Sequence, residues 1–306
     1  MVKTLFHLFS FLPLWLLHVL GAALGAIVYV LAPSYRRKMR AYSRMVFKDD
    51  EIQRRRAMRD SVFHTGMALL ELPFLWGRPT HKGIRTCMEI TGWEHVDAAK
   101  QAGVGLVFLT PHQGCFEAAA QMFSTKAPIT VLYRPNRNAQ VQKIIEASRT
   151  RDNIEIAPTN VSGVKKLLRA LKKGEAVGML PDQVPSGGEG VWASAFGQPA
   201  YTMTLPARLV HATQAKIILA LGVRIPFRGF RLELYPGPTE LSQDPIEAAT
   251  QVNTAIETLI MQKPGQYYWG YERFKLPKGY VGDVPTTTHA VSHSLGSSTG
   301  HSGGQK

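Results

Sequence analysis

The sequence predicts an α/β domain with a mostly parallel central sheet flanked by helices, preceded by one N-terminal transmembrane anchor helix. From about residue 85, short apolar runs of strand length alternate with helical patterns. Such alternation is typical of α/β domains with a largely parallel sheet. Ahead of that region, residues 5–32 contain no Asp, Glu, Lys or Arg. About 20 apolar residues suffice for a helix to cross the hydrocarbon core of a bilayer.

The individual elements follow from hydrophobic periodicity. A helix is predicted over 51–77, where Phe63, Met67, Leu70 and Phe74 recur at spacings of three or four. Strands are predicted at 88–91, 104–110, 129–133, 154–157, 176–180, 217–223 and 231–235. Further helices are predicted at 94–102, 114–124, 138–150, 161–173, 203–213 and 244–262.

The predicted anchor has an orientation signal. Five basic residues follow the apolar run within a short distance: Arg36, Arg37, Lys38, Arg40 and Arg44. The positive-inside bias therefore puts the body of the protein in the cytoplasm. A cleaved signal peptide is the alternative, with 23–25 imitating a cleavage site. Because the apolar run continues to Ala32, longer than a signal core, an uncleaved anchor is favoured.

Composition narrows the class of partner. The formal net charge of +14 suggests an anionic partner, namely nucleic acid, an anionic membrane or a phosphorylated substrate. The two cysteines, Cys87 and Cys115, are too few for a disulfide framework or a cysteine-based zinc site. No metal and no bound cofactor are expected.

The chemistry-bearing stretch is 106–121, where His112 and Glu117 follow an apolar strand. Ligands collect at the carboxyl ends of strands in such sheets. If the turn at Gly114 brings the pair together, Glu117 would orient the imidazole, which could then take a proton from a bound hydroxyl. A helix-capping His beside a solvated Glu is the structural alternative. A nucleophilic Cys115 is a third interpretation, although a small buried Cys usually serves packing.

Further segments carry a resemblance to a known family. They are "YRPNRN" (133–138), "ASRTR" (147–151), "GVKKLLRALKKGEAVGMLPDQVPSGGEGVWASAFG" (163–197), "PAYTMTLPARL" (199–209) and "PGQYYWGYERFK" (264–275). With the H-x4-E pattern and the anchor, they resemble the lipid A late acyltransferases, the lauroyl/myristoyl acyltransferase family, up to about residue 276. "PTNVSGVKK" and "DQVPS" look most like its betaproteobacterial branch.

The resemblance implies a glycerolipid-acyltransferase-like fold and specific roles. His112 would be the general base and Glu117 its orienting partner. The implied substrate-binding residues are Arg149, Arg151, Arg134 and Asp182. The donor would be an acyl-acyl carrier protein and the acceptor a hydroxyacyl chain of an anionic lipid A precursor. The protein would lie in the cell inner membrane, single-pass, with its catalytic domain on the cytoplasmic side.

The predicted organisation has four parts. They are a membrane anchor helix over 1–34, basic, amphipathic membrane-proximal helices over 35–80, a catalytic acyltransferase domain over 81–280 and a disordered tail over 281–306. The tail is rich in Ser, Thr, Gly and His.

Two rival functions remain at this point. The closer is an acyltransferase with another acceptor, such as a glycolipid or lysophospholipid. The more distant is a membrane-tethered nucleic-acid-binding protein, suggested by the charge. No zinc-finger, RNP or KH pattern is present in the sequence, so no nucleic-acid partner is predicted.

Overall fold

The computed structural model describes residues 2–48, 50–136, 139–150, 153–186, 188–280, 282 and 284–285. Residues 286–306 of the predicted disordered tail lie outside this range. The helices are α1 (Val2–Ser10), α2 (Leu14–Leu31), α3 (Pro33–Phe47), α4 (Glu51–Gly77), α5 (Glu94–Gln101), α6 (Phe116–Ser124), α7 (Ala139–Arg149), α8 (Val161–Lys172), α9 (Leu205–Thr213) and α10 (Pro245–Gln262). The strands are β1 (Met88–Thr91), β2 (Leu106–Leu109), β3 (Ile129–Tyr133), β4 (Ile154–Pro158), β5 (Ala176–Met179), β6 (Gly190–Ala195), β7 (Gln198–Met203), β8 (Lys216–Ile225) and β9 (Gly229–Pro236).

Seven strands form the central sheet in the order β1-β9-β8-β2-β5-β3-β4. Neighbours run parallel except β8 and β9, which form an antiparallel pair. The predicted mostly parallel sheet flanked by helices is therefore confirmed. The antiparallel pair arises because only a short turn separates β8 from β9, and a parallel pair needs a longer crossover connection.

The β6–β7 hairpin was not predicted from the sequence. Its strands pair antiparallel outside the main sheet, and small residues at several positions give them no long apolar run. The turn between them places Phe196 at φ 48° and Gly197 at φ 70°. Two consecutive positive-φ residues match the twist of a tight hairpin, so Gly197 was the available sequence signal.

The hydrophobic core lies in two layers, one on each face of the sheet. Val107 and Leu109 point into the layer that contains α8 and α10 residues. Leu106 and Phe108, which alternate with them, point into the layer that contains α6 residues. All four residues of β2 are buried, as expected for a central strand covered on both faces.

The N-terminal apolar run forms two helices because Pro13, which lacks an N–H donor, interrupts it. Among the described residues, α2 is the one helix long and apolar enough to cross a membrane, with a mean hydropathy of 2.2. At Gly21 and Gly25 its inner face packs against α4 without intervening side chains. A Cβ added at Gly66 of α4 would lie 2.0 Å from the carbonyl oxygen of Gly21, so the two backbones touch there.

A buried ion pair joins the helices to the sheet. Glu71 of α4 and Arg224 of β8 are fully buried. Glu71 accepts from Arg224 through both oxygens, one bond measuring 2.7 Å, and it contacts His18 of α2 at 2.7 Å. Burial alone would raise the pKa of Glu71, but the Arg224 guanidinium outweighs it and lowers that pKa to about 2. Glu71 is therefore ionised at neutral pH.

Substitution of Glu71 tests how much this ion pair contributes to the free energy of unfolding. Glu71→Gln leaves the Arg224 guanidinium buried without its counter-charge, so we expect the free energy of unfolding to fall by about 3–5 kcal/mol. Urea unfolding followed by circular dichroism in detergent measures this. The matched control is Glu89→Gln, which breaks the more exposed ion pair with Arg231 and should leave the midpoint unchanged. Equal midpoints for both variants would contradict the assignment.

Candidate active site

The central feature of the site is a His–Asp pair at the carboxyl ends of two adjacent strands. β2 and β5 run parallel, with Leu109 opposite Met179. His112 lies three residues after Leu109, and Asp182 lies three residues after Met179. A proline precedes each of them, at 111 and 181. Equal offsets from paired residues bring the two side chains to the same edge of the sheet.

The contacts between them fix the imidazole. The ring Nδ1 of His112 lies 2.8 Å from Oδ1 of Asp182, and the His112 backbone N–H donates to Oδ2 at 2.7 Å. Burial would raise the pKa of Asp182, but the contacts with His112 outweigh it and lower that pKa. Asp182 is therefore an ionised acceptor, which favours the tautomer with hydrogen on Nδ1 and leaves Nε2 with a lone pair.

The second ring nitrogen is directed at Gln183. The side-chain amide nitrogen of Gln183 lies 3.0 Å from Nε2 of His112. The Phe116 ring lies against the imidazole, with ring centroids 4.9 Å apart. Since Asp182 and Gln183 engage the two ring nitrogens, the orientation of the ring is set by packing and by two hydrogen bonds.

The predicted hydrogen bond from the His112 ring to Glu117 is not the one that the structure forms, and Asp182 takes the place of Glu117 as partner of the ring. Glu117 lies in the first turn of α6 and is held by Arg149 of α7, which donates through Nη2 and, at 3.2 Å, through Nε. The indole N–H of Trp76 also donates to Glu117, at 3.2 Å. The spacing of five residues in the sequence did not reveal that another strand would supply the partner of His112.

His112, Glu117 and Arg149 nonetheless line one cavity of about 1020 Å³. Its lining also includes Gln183 and a set of apolar side chains, among them Phe116, Val131, Leu132, Leu180, Met203 and Leu205. Asp182 is buried behind the imidazole, with 5% of its surface exposed. The cavity therefore combines an apolar interior with an imidazole and a guanidinium that Glu117 holds in place.

Of the other predicted site residues, Arg134 is exposed and lines the same cavity. Arg151 lies outside the described residues. The structure thus brings five of the six predicted site residues to one place, namely His112, Glu117, Arg149, Arg134 and Asp182.

The loop that carries His112 is fixed by backbone contacts. Gly114 adopts φ 60°, and a Cβ there would lie 2.0 Å from the carbonyl oxygen of Gly222. Only glycine fits this close approach. The Gly114 N–H donates to the Gln266 carbonyl at 2.9 Å, and Tyr268 N–H donates to the His112 carbonyl at 3.0 Å. The buried Arg224 donates to the Gly114 carbonyl at 2.8 Å.

Cys115 does not have the surroundings of a nucleophile. The residue is 3% exposed, and burial raises the pKa of its thiol well above the ordinary value. It belongs to the hydrophobic layer beside α6, whereas a reactive cysteine needs access and a lowered pKa. The structure therefore favours the packing interpretation.

Sequence reasoning missed two contributors, Gln183 and Trp76. Gln183 had an available signal, since "TPH" (110–112) and "LPD" (180–182) end two paired strands in the same way. That repetition also pointed to Asp182 as the partner of His112. Trp76 had no local signal, because it reaches Glu117 across 41 positions of the sequence.

Comparison with known proteins identifies the class of enzyme and the family. Over residues 1–276 the chain matches the family model for bacterial lipid A biosynthesis acyltransferases. The protein therefore belongs to the bacterial lipid A biosynthesis acyltransferase family, as its resemblance suggested. Its assignment to a betaproteobacterial branch stays a prediction.

Curated relatives agree with this assignment. The chain is 28% identical over 273 residues to the lipid A biosynthesis lauroyltransferase of Escherichia coli (strain K12), covering 88% of each chain. It is 26% identical over 267 residues to the palmitoleoyltransferase of the same organism, covering 86% of each. It is 28% identical over 192 residues to a lipid A biosynthesis acyltransferase of Haemophilus influenzae, covering 61% of this chain and 59% of that protein.

The assignment of Asp182 as the orienting residue is testable. Asp182→Asn keeps one acceptor oxygen but removes the charge that fixes the imidazole tautomer, so we expect kcat for acyl transfer to fall about 10²–10⁴-fold. The measurement is steady-state kinetics on purified enzyme in detergent. Asp244→Asn, which changes an exposed cap of α10, is the control and should retain activity. An Asp182→Asn enzyme with full kcat would refute the role.

Proposed function

We propose that this protein transfers a fatty acyl chain from an acyl-acyl carrier protein to the hydroxyl of a hydroxyacyl chain on a lipid A precursor. One observation carries the proposal. His112 is fixed through Nδ1 by Asp182, while its Nε2 is engaged by Gln183, a cavity-lining residue. An imidazole held in this way is suited to accept a proton from a hydroxyl bound in the cavity.

The proposed step is direct acyl transfer. The acceptor hydroxyl replaces the Gln183 amide as the partner of Nε2, and His112 takes its proton as the oxygen attacks the thioester carbonyl. The tetrahedral intermediate then expels the thiolate, which receives the proton from the imidazolium. One ester bond forms and one thioester bond breaks, and Asp182 stabilises the transient positive charge. No enzyme nucleophile is needed, which agrees with the burial of Cys115.

Arg149 and Arg134 are proposed to bind the anionic acceptor. Guanidinium groups pair with phosphate oxygens through planar, parallel donors. Glu117 acts on this binding indirectly, because it holds the Arg149 guanidinium through two donors. Glu117 is thus proposed as a positioning residue rather than as the partner of the base. Arg151 stays a predicted member of the same group.

The acyl carrier protein is proposed to bind where α8 and α9 border the cavity. Lys165 of α8 and Arg208 of α9 line the cavity and are exposed. Together with the net charge of +14, they favour an acidic partner, since complementary charge speeds encounter and fixes orientation. The thioester would enter between these two helices and reach His112 through the apolar part of the cavity.

The site of action is proposed to be the cytoplasmic side of the cell inner membrane. The apolar α2 is compatible with membrane association, and a membrane-held enzyme meets a lipid acceptor without extracting it from the bilayer. The division into anchor, membrane-proximal helices, catalytic domain and tail is carried forward as part of this proposal. The single crossing of the membrane stays a prediction.

The closest alternative is an acyltransferase that uses another glycolipid or a lysophospholipid as acceptor. The same base and the same cavity would serve it, so only the acceptor separates the two proposals. Lipid profiles of a deletion strain distinguish them. Loss of one secondary acyl chain from lipid A supports the first proposal, and an unchanged lipid A with altered phospholipids supports the second.

Transfer of a labelled acyl chain from acyl carrier protein to a tetra-acylated lipid A precursor tests the reaction. We expect His112→Ala to lower kcat by about 10²–10⁴-fold, the usual contribution of a general base. Cys115→Ser should retain activity, because its thiol is not a nucleophile. A His112→Ala enzyme with wild-type kcat, or a Cys115→Ser enzyme that folds but is inactive, would contradict the mechanism.

A double-mutant cycle tests whether Glu117 acts through Arg149. We expect Glu117→Gln and Arg149→Met each to raise the KM for the lipid acceptor more than they lower kcat. The double variant should be little worse than Arg149→Met alone, because the two changes disrupt one unit. KM and kcat for all four enzymes give the coupling. Additive losses, or a kcat effect of Glu117→Gln as large as that of His112→Ala, would restore Glu117 as partner of the base.

A further inference from the structure

The N-terminal helices α1 and α2 pack along α4, and this packing limits how the protein can associate with a membrane. Gly21 and Gly25 of α2 face α4 directly. A Cβ at Gly21 would lie 2.6 Å from Cα of Met67, and a Cβ at Gly25 would lie 2.2 Å from the carbonyl oxygen of Val62. Before α2, Ser10 of α1 meets Gly77 at the other end of α4. The N-terminal segment therefore runs antiparallel along α4 from Gly77 to Val62.

Polar contacts hold the N-terminal part of α2 to the sheet domain. His18 is fully buried and contacts Glu71 through Nε2 at 2.7 Å. Its other ring nitrogen, Nδ1, accepts from the backbone N–H of Phe227 at 2.8 Å. Phe227 lies in the turn between β8 and β9. The second turn of α2 therefore lies beside the buried Glu71–Arg224 pair and the turn between β8 and β9.

The outer face of α1 and α2 is apolar and exposed, and the sheet domain contributes to it. The exposed apolar residues of this surface are Leu8, Phe11, Trp15, Val19, Leu20, Ile27, Val28, Val30 and Leu31. Phe227 is 52% exposed, adopts φ 66°, and has its ring centroid 6.1 Å from that of His18. The exposed Phe227 ring therefore extends the apolar surface of α1 and α2 onto the β8–β9 turn.

These contacts oppose a helix that crosses the bilayer. A spanning α2 would bring α4 and the β8–β9 turn into the hydrocarbon core beside it, including the groups around Glu71 and Arg224. Ionised and polar groups at that depth are costly. A helix that separated from α4 to avoid this would leave His18 and the Phe227 N–H without their present partners, and Glu71 would lose its contact with His18.

We propose that α1 and α2 lie along one leaflet of an anionic bilayer, with Phe227 inserted beside them, and that the N-terminus and the catalytic domain are on the same side of the membrane. This arrangement replaces the single crossing predicted from the sequence. The occupant of the apolar face is a lipid leaflet because α3, which begins two residues after α2, carries the exposed cations Arg37, Arg40 and Arg44. Such a pairing of apolar face and basic segment suits an anionic interface.

The inference rests on the proposed membrane site of action, and its tests do not depend on the acyl acceptor. The first test uses a cysteine in a short tag fused ahead of Met1, in a Cys87→Ser background, since Cys115 is buried. A membrane-impermeant maleimide is applied to intact spheroplasts and to lysed cells. The matched control is Gln243→Cys in the same background, an exposed position of the catalytic domain.

We expect both cysteines to be protected in intact spheroplasts and both to be labelled after lysis. Labelling of the tag in intact spheroplasts, with Gln243→Cys protected, would show that α2 crosses the membrane and would overturn the proposal. Labelling of both cysteines in intact spheroplasts would overturn the proposed cytoplasmic site instead, so the two failures are distinguishable.

The second test measures insertion of the β8–β9 turn. Phe227→Cys carries an environment-sensitive fluorophore, and the purified protein is bound to vesicles of phosphatidylethanolamine and phosphatidylglycerol. We expect a blue shift of the emission at position 227 and none at Ile246→Cys, an exposed apolar position on α10. Vesicle-bound protein without a shift at 227, or with equal shifts at both positions, would refute insertion of this surface.

Discussion

Arg224 is a fully buried guanidinium, and the protein is organised around the requirement to compensate that charge. Glu71 supplies the counter-charge from α4, and the Gly114 carbonyl accepts a further bond at the start of the active-site helix. His64 lies 3.0 Å from Arg224 through Nδ1, and burial lowers the pKa of His64 to about 4, so it is a neutral acceptor. Since a buried charge without partners is strongly destabilising, β8, α4 and the loop at Gly114 must adopt one arrangement together.

The contacts around Glu71 and Arg224 connect α2 to the loop that carries His112. His18 reaches the same Glu71 carboxylate from α2. The side-chain amide of Gln266 accepts from the backbone N–H of Arg224 and donates to its carbonyl, at 2.9 Å each. The Gln266 carbonyl in turn accepts from Gly114. A site that must hold an imidazole in one orientation benefits from such a rigid surround. Helix α2 is therefore linked to the framework of the candidate active site.

Within the site, two carboxylates have different tasks because their surroundings differ. Asp182 is buried and accepts from the ring and from the backbone N–H of His112. Glu117 faces the cavity and is occupied by a guanidinium and an indole. The first arrangement keeps an imidazole oriented, and the second holds a guanidinium in the lining of the cavity. Both carboxylates depend on partners from other elements, which explains why a local H-x4-E spacing describes the residues but not their contacts.

The sequence alone determined the alternation of strands and helices, the apolar N-terminal run, the helix Glu51–Gly77 and the position of His112 just after a strand, because hydrophobic periodicity and strand ends are local properties. Motif resemblance added the family and the set of site residues. The tertiary structure decided the partner of His112, since the parallel pairing of β2 and β5 brings Asp182 there from 70 positions away. It also decided the position of α2 beside the sheet domain. Hydropathy shows only that a helix is apolar. The polar contacts of His18 show that α2 lies against Glu71 and the Phe227 backbone.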